Sequence, residues 1–291
     1  MEVISRQTSK SVLKRLYLFW LRFKKNRPAV GGLLFIAFTI LVAVFAPLLA
    51  PKDPFQFDYG SILTGPSGSH WFGTDQYGRD VYARTIWGTR ASLIVGFSAA
   101  AVAGLVGITL GSVAGYKGGK IENLIMRAVD VMLTLPTFFL ILIVALFFGP
   151  SIFNVVLFIG LTAWPSIARL MRAEFLSFKE REFVIAARAV GMRDLRIMFS
   201  EILPNAIFPA VVNITLLISG AIIIEASLSF LGVSDPNVVS WGLMLQESIQ
   251  TFRSALWTTL CPGAAITATV VAFNLFGDGL NDALNPILKE R

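Results

Sequence analysis

Long apolar runs separated by shorter polar segments dominate the hydrophobic pattern of this chain. Six of the runs are long enough to cross a bilayer core of roughly 30 Å as a helix rising about 1.5 Å per residue. None alternates apolar and polar positions as the strands of a membrane barrel do. The pattern therefore predicts an all-α polytopic membrane protein with six transmembrane helices. The predicted spans are Pro28–Ala50, Ala91–Gly115, Val131–Gly149, Ile152–Ala168, Ala206–Leu231 and Thr258–Leu280.

The composition and the placement of charge support this class. Of the 291 residues 55% are hydrophobic and 15% are charged, whereas soluble domains carry roughly 25% charged residues. Lys and Arg accumulate on the cytoplasmic side of membrane proteins, and 20 of the 25 here lie in alternate polar segments that include both ends of the chain. We therefore expect both termini in the cytoplasm. The net charge of +7 then reflects topology, and we expect no binding of nucleic acid.

The same pattern divides the chain into five parts. Basic and aromatic residues alternate at helical spacing in the N-terminal segment, which favours a helix on the anionic inner membrane surface, with a solvated tail as the alternative. In span two, Gly107, Gly111 and Gly115 lie four residues apart, a spacing that predicts close approach of a neighbouring helix. The parts are a basic cytoplasmic segment (1–27), the first span (28–50), an external region (51–90), a five-helix core (91–280) containing a cytoplasmic loop (169–205), and a cytoplasmic C-terminus (281–291).

The sequence lacks the residue sets that catalysis, metal binding or nucleotide binding would need. It has one histidine, His70, and one cysteine, Cys261, and it contains neither a zinc motif nor a serine-hydrolase elbow. The stretch most similar to a phosphate-binding loop, residues 115–121, is one residue short and lacks the hydroxyl. Asp130 and Arg127 are one helical turn apart, and we expect them to pair as a structural clasp, with a role in gating as the alternative. We expect no catalytic residue, cofactor or metal, so active transport would need an ion gradient or another polypeptide.

Glu225 is the one plausible charge inside a predicted span, several residues before the external end of span five. Ionisable groups within membrane spans usually serve function. Glu225, Ser227 and Ser229 are therefore candidates for an external gate or for the lining of a translocation path. A structural hydrogen bond to a neighbouring span is the alternative. Glu225 could also carry a proton in an ion-coupled secondary carrier, although six spans without a matching inverted repeat are unfavourable for that function.

The charged loop between spans four and five contains the clearest functional pattern. Residues 181–204, REFVIAARAVGMRDLRIMFSEILP, are predicted to form two short helices broken at Gly191. Asp194 suits the start of the second helix and Pro204 its end. Small side chains precede Gly191 and would allow a partner surface to come close. Such an element is typical of docking to another protein, although an ordinary amphipathic loop is the alternative. The predicted apolar face of the second helix is Leu195, Met198, Phe199 and Ile202.

This loop resembles the EAA loop of binding-protein-dependent ABC importer permeases. The resemblance rests on Ala186-Ala187, on Gly191 four residues later, and on Leu203-Pro204 twelve and thirteen residues after that glycine. Ile185 replaces the glutamate that names the loop, and Glu182, one turn earlier, is a candidate to supply a nearby charge. The resemblance implies that the loop contacts an ATPase through Glu182, Ala186, Ala187, Gly191, Leu203 and Pro204.

Five further stretches resemble the dipeptide/oligopeptide/nickel permease family, and in particular its C-type subunit. Together the stretches extend the resemblance over roughly residues 20–291. In chain order they are RFKKNRPAVGG, APLLAPKDP, HWFGTDQYGRDVYARTIWGTRASL, GYKGGKIENLIMRAVDVMLTLP and IIIEASLSFLGV.

The resemblance implies a fold, a location and a set of partners. The fold is the type I permease fold of ABC importers, in the bacterial cytoplasmic membrane, and the chain has no enzymatic activity of its own. The implied partners are a second, B-type permease subunit, two cytoplasmic ABC ATPase subunits and an extracytoplasmic peptide-binding protein. The Glu182–Pro204 element would be the coupling helix that enters a cleft of one ATPase.

The resemblance also implies import of dipeptides or oligopeptides. Nickel, glutathione and antimicrobial peptides remain alternatives within the family, because selectivity would reside largely in the external binding protein. Outside the family, the alternatives are an ion-coupled carrier and a membrane anchor that recruits a cytoplasmic enzyme through the charged loop.

Overall fold

The computed structural model describes residues 19–233 and 235–284, so most of the predicted basic N-terminal segment and of the C-terminus lies outside the described residues. Within those ranges the chain is helical and has no strand, apart from one isolated bridge between Thr74 and Asp80. The predicted all-α fold is confirmed. The helices are α1 (Arg27–Val44), α2 (Ala46–Leu49), α3 (Val81–Lys117), α4 (Gly119–Thr134), α5 (Thr137–Phe148), α6 (Ile152–Lys179), α7 (Glu182–Ala189), α8 (Asp194–Arg196), a π-helix (Ile197–Ile202), α9 (Leu203–Ala206), α10 (Phe208–Phe230), α11 (Trp241–Ser248), a 3-10 turn (Ile249–Thr251) and α12 (Trp257–Leu284).

Five of these helices, α1, α3, α6, α10 and α12, are long and apolar enough to cross a membrane. A sixth crossing is obtained if α4 and α5 count as one span, although the two are bent by 86°. The bend falls at Pro136, which lacks an N–H group and restricts the preceding Leu135 to an extended conformation (ψ 133°). The predicted third span, Val131–Gly149, therefore contains a break that the apolar pattern did not reveal.

Two membrane helices extend well beyond their predicted apolar cores. α3 has 37 residues, which corresponds to about 55 Å of helix and exceeds the roughly 30 Å hydrocarbon core. It begins at Val81 rather than at Ala91, with Asp80 as its N-cap accepting a hydrogen bond from the Ala83 N–H. α6 continues to Lys179, past the predicted end at Ala168. Both helices thus carry polar residues beyond their apolar cores. Two of the sites described below lie at these polar ends.

α3 and α6 pack with their backbones in near contact, as the glycine spacing of span two predicts. A Cβ atom added to Gly107 would lie 2.6 Å from Ile167 Cβ, and one added to Gly115 would lie 2.6 Å from Phe175 Cβ. Distances under 3 Å leave no room for a side chain, so only glycine allows this approach. The largest apolar cluster surrounds the half of this pair that contains the C-terminal ends of both helices, and it continues into α7, the π-helix and α10.

Candidate functional site

The predicted break at Gly191 is a tight turn between α7 and α8. Gly191 has φ +76°, a left-handed conformation that costs other residues roughly 1–2 kcal/mol. Its N–H donates to Arg188 O at 2.9 Å, and Met192 N–H donates to Ala187 O at 3.1 Å. This pair of bonds is the Schellman motif, which ends a helix and fixes the direction of the chain after it. We call residues 181–204 the bent segment.

The helix that follows the turn differs from the regular one that the sequence predicts. Residues 197–202 form a π-helix, whose wider turns rotate side chains away from a spacing of 3.6 residues. Met198 and Ile202 are buried. Leu195 and Phe199, which were predicted to share one apolar face with them, are 67% and 50% exposed, and Ile197 is buried instead. The predicted four-residue apolar face is therefore wrong at two positions.

Pro204 does not end this helix, as the sequence suggested, but lies in the first turn of α9. A proline there lacks the N–H that would bond to the carbonyl four residues earlier. The π-helix ends immediately before α9. The change from π-helical to α-helical hydrogen bonding therefore occurs where Pro204 has no N–H to donate.

The bent segment exposes apolar side chains on both sides of the turn. Among the six predicted ATPase-contacting residues, Glu182, Ala186, Gly191 and Pro204 are exposed, Leu203 is partly buried and Ala187 is buried. Around them, Val190 is 80% exposed. Contiguous exposed apolar surface on a soluble face usually marks a contact with another protein. The other exposed large apolar side chains of the segment are Phe183, Ile185, Leu195 and Phe199.

Glu225 is buried near the C-terminal end of α10, where only one of its two predicted serine neighbours reaches it. Ser229 Oγ donates to Glu225 Oε1 at 2.7 Å, and Ser240 Oγ, at the start of α11, lies 3.5 Å from Ser229 Oγ. Ser227 instead donates to Ile223 O of its own helix. Glu225 Oε2 has no hydrogen-bond partner among the described residues. Glu225 and Ser229 therefore form one cluster with the α11 N-cap, and Ser227 lies apart.

Asp235 also lines the small cavity beside this cluster. The cavity measures about 20 Å³, enough space for about one water molecule. Its lining includes the beginning of α6 at Ile152 and Val155. The Glu225 carboxylate thus lies where α6, α10 and the chain leading into α11 meet.

The predicted pairing of Asp130 with Arg127 is wrong. Asp130 Oδ1 instead accepts from Arg169 Nη2 of α6 at 2.8 Å. Glu122 likewise pairs with Arg172, whose Nε lies 2.6 Å from Glu122 Oε1. Both acidic residues of α4 thus face α6, because tertiary packing turns this side of α4 toward that helix. These two ion pairs hold α4 against α6 on the side where the bent segment lies.

A buried cluster of charged side chains, which the sequence did not predict, lies near the start of α3. Arg79 bonds Asp75 Oδ2 through Nε and Glu247 Oε2 through Nη2, each at 2.7 Å. Arg84 Nη1 bonds the same two acceptor atoms at 2.5 and 2.6 Å. The cluster joins the loop before α3 to α11. The stretch HWFGTDQYGRDVYARTIWGTRASL contains Asp75, Arg79 and Arg84, but Glu247 lies too far along the chain for any spacing rule to connect it.

Asp80, the N-cap of α3, binds a second group of charged side chains. Its Oδ2 lies 2.9 Å from His70 Nδ1 and 3.0 Å from Lys52 Nζ, and its Oδ1 accepts from the Ala83 N–H at 2.9 Å. Burial by itself would raise the pKa of the Asp80 carboxyl. The bonds from Ala83, Lys52 and His70 outweigh burial and lower this pKa below its usual value. The single histidine is therefore a structural partner of a helix cap.

Comparison with known proteins agrees with this architecture. Residues 107–290 match the family described as binding-protein-dependent transport system inner membrane component. Residues 15–66 match the N-terminal TM domain of oligopeptide transport permease C.

Three relatives show how far the similarity extends. The dipeptide transport system permease protein DppC of Alkalihalophilus pseudofirmus is 44% identical, over 92% of this chain and 88% of the relative. The oligopeptide transport system permease protein OppC of Bacillus subtilis is 35% identical, over 93% of this chain and 89% of the relative. The glutathione transport system permease protein GsiD of Pectobacterium atrosepticum is 40% identical, over 93% and 91%.

Proposed function

Because the chain belongs to the family of inner-membrane components of binding-protein-dependent transport systems, we propose that it is the C-type permease subunit of an ATP-driven importer of dipeptides or oligopeptides. The exposed apolar surface of the bent segment carries this proposal, since the sequence contains no phosphate-binding loop of its own. In this proposal, the force for transport enters from another polypeptide. Among the relatives, permeases named for dipeptide and oligopeptide transport support the substrate class.

The bent segment acts as the docking element for a cytoplasmic ABC ATPase. Val190 and Leu195, on either side of the turn, enter a cleft of the ATPase and lose their exposure there. On the opposite side of the segment, Val184, Ile197 and Met198 are almost fully buried against the membrane helices. An ATPase that moves the exposed side therefore moves α7 and the π-helix as a body, because the core resists deformation.

The complete importer contains further subunits on both sides of the membrane. A B-type permease pairs with this chain around one translocation path, two ATPase subunits bind from the cytoplasm, and an extracytoplasmic peptide-binding protein delivers the substrate. The distribution of Lys and Arg supports this orientation, with both termini in the cytoplasm. Substrate choice resides largely in the binding protein, which explains how relatives named for dipeptides and for glutathione share this much sequence.

Glu225 serves the external gate. Its bond to Ser229, and the contact of Ser229 with the α11 N-cap Ser240, fasten α10 to α11 in the closed arrangement. Outward opening breaks this cluster and admits water to a carboxylate that is 5% exposed here. An ionisable group at this depth is expected to serve transport rather than stability alone.

The docking role is tested by substituting Gly191 with valine. A Cβ at Gly191 meets no atom within 4 Å, so the substitution acts only through the backbone, whose φ of +76° valine resists. We expect Gly191→Val to abolish uptake of a radiolabelled dipeptide by cells that express the whole importer, with normal amounts of the chain in the membrane. Gly220→Val is the matched control, because a Cβ there also meets nothing within 4 Å but the backbone is helical. Full uptake by Gly191→Val would refute the docking role.

A further inference from the structure

One side chain of α3, Tyr116, contacts the bent segment on both sides of its turn. The Tyr116 hydroxyl donates to Asp194 Oδ1 at 2.7 Å. The Arg188 guanidinium lies over the Tyr116 ring, with 5.4 Å between Cζ and the ring centroid. Arg188 belongs to α7, before Gly191, and Asp194 begins α8, after it. A single aromatic residue of a membrane helix therefore bridges the two limbs of the turn.

The two sides of this contact differ in burial. Tyr116 is 5% exposed and belongs to the largest apolar cluster, whereas Arg188 and Asp194 are exposed. A bond from a hydroxyl to a carboxylate is shorter and stronger than one between neutral groups. Tyr116 is thus a fixed donor in the membrane body, and the groups that it holds belong to the surface proposed to meet the ATPase.

Directly beside Tyr116, α3 is packed too tightly against α6 to move independently of it. A Cβ on Gly115 would lie 2.6 Å from Phe175 Cβ and 2.7 Å from Arg172 O. Gly111, one turn earlier, approaches the backbone of Ala168 as closely. A displacement that reaches Tyr116 therefore reaches the α3–α6 pair as one body.

We propose that Tyr116 is a positioning residue that fixes the angle of the bent segment on the α3–α6 pair and passes the motion of the segment to that pair. The inference rests on the proposed function, in which an ATPase binds the bent segment. Motion would then pass from the bent segment to α3 through side-chain contacts, in addition to passing along the backbone from the π-helix through α9 into α10. The hydroxyl of Tyr116 is the atom that this role requires, because a phenylalanine would fill the same apolar space.

The test compares transport with ATP hydrolysis in the complete importer reconstituted in liposomes. For Tyr116→Phe we expect the amount of radiolabelled dipeptide imported per ATP hydrolysed to fall about three- to tenfold, the range set by losing one hydrogen bond to a charged, partly solvated group. The exposed partner supplies a second variant, Asp194→Ala, with the same expected loss. The double variant should lose no more than either single one. Asp194→Asn keeps an acceptor oxygen and should retain most of the ratio.

Tyr82→Phe is the matched control on the same helix. Its hydroxyl donates to Leu49 O at 3.3 Å, near the external end of α3 and far along the helix from the bent segment. The same chemical change there should leave the import-to-hydrolysis ratio at the parent value. An equal loss in both variants would overturn the proposal, because it would show that α3 responds to any lost hydroxyl.

A distance measurement separates positioning from a general loss of stability. In a Cys261→Ala background, spin labels at Lys117 and Val190 report the separation of the α3 end from the tip of the turn, since both positions are exposed. We expect a narrow distance distribution that stays narrow with ATP and vanadate, and a broad one in Tyr116→Phe. A crosslinker at Val190 tests in parallel whether the ATPase binds. Binding with an unchanged distribution and ratio in Tyr116→Phe would overturn this inference alone, whereas absence of the crosslink would overturn the proposed function itself.

Discussion

At the scale of single residues, the ionisable side chains near the start of α3 hold loops to helices. Asp80 caps α3 and draws Lys52 and His70 to the same carboxylate. Asp75 and Glu247 are each shared by two arginines. Such groups stabilise the fold through charge-assisted bonds, and their geometry explains why a membrane protein places buried charge outside its spans.

The lowered pKa of Asp80 predicts acid sensitivity at this cap. A carboxyl whose pKa is lowered on folding contributes stability at neutral pH and loses it as the pH falls through the folded-state value. Asp80→Asn keeps the capping oxygen but removes the charge. We expect it to lower the unfolding free energy at pH 7 by about 1 kcal/mol or less, because Lys52 is largely solvated. The unfolding free energy of this variant should also fall less steeply than that of the parent between pH 5 and pH 3.

Thermal unfolding of the purified protein at several pH values measures this effect. Asp53→Asn is the control, since Asp53 also accepts a local backbone bond, from Phe55 N–H at 2.9 Å, but lies exposed. If the stability of Asp80→Asn falls in acid as steeply as that of the parent, protonation of Asp80 is not linked to unfolding.

At the scale of elements, the contact between α3 and α6 was predictable, but the irregular elements were not. Glycines four residues apart leave a direct trace in sequence, because only the absence of a side chain permits the approach. The π-helix at 197–202 could not be predicted in this way, since a change in backbone hydrogen bonding does not alter which residues are apolar. The bend at Pro136 lies within an apolar run, where hydropathy alone reads a continuous span. Local rules found Gly191 because its turn requires glycine.

The close α3–α6 contact predicts that even a methyl side chain at Gly111 would destabilise the protein. A Cβ on Gly111 would lie 2.7 Å from Met171 Cβ and closer still to Ala168 O. Overpacking of this kind costs roughly 1–3 kcal/mol, so Gly111→Ala should lower the melting temperature of the purified protein. Gly31→Ala on α1 is the control, because its Cβ would meet nothing within 4 Å and alanine favours a helix. Equal stability of the two variants would contradict the close packing.

At the scale of the whole molecule, the apolar class and five of the six predicted spans followed from the sequence, whereas the break in the third predicted span and the assembly of distant sites did not. The cluster that joins Arg79 to Glu247 links the loop before α3 with α11, and a single sequence contains no signal for such a pair. Glu225 was found because a charge inside a span is conspicuous. Ser240, which contacts Glu225's partner Ser229, is placed there only by the way α11 packs on α10.

Orientation is a whole-molecule property that thiol labelling can measure. In a Cys261→Ala background, a cysteine at Ser67 should react with a membrane-impermeant maleimide in spheroplasts, because residue 67 is exposed in the external region. A cysteine at Val190, expressed without the ATPase subunits, should react only after lysis. The reverse pattern would place the bent segment outside the cell and exclude contact with a cytoplasmic ATPase.

The cluster of Asp75, Arg79, Arg84 and Glu247 contains two positive and two negative groups, so its net charge is zero. Moving one elementary charge through the whole electric field of a membrane involves about 2.3 kcal/mol per 100 mV. A neutral group that shifts as a unit does no such electrical work. A joint movement of α11, which carries Glu247, with the start of α3, which carries Arg84, would therefore be insensitive to the membrane voltage.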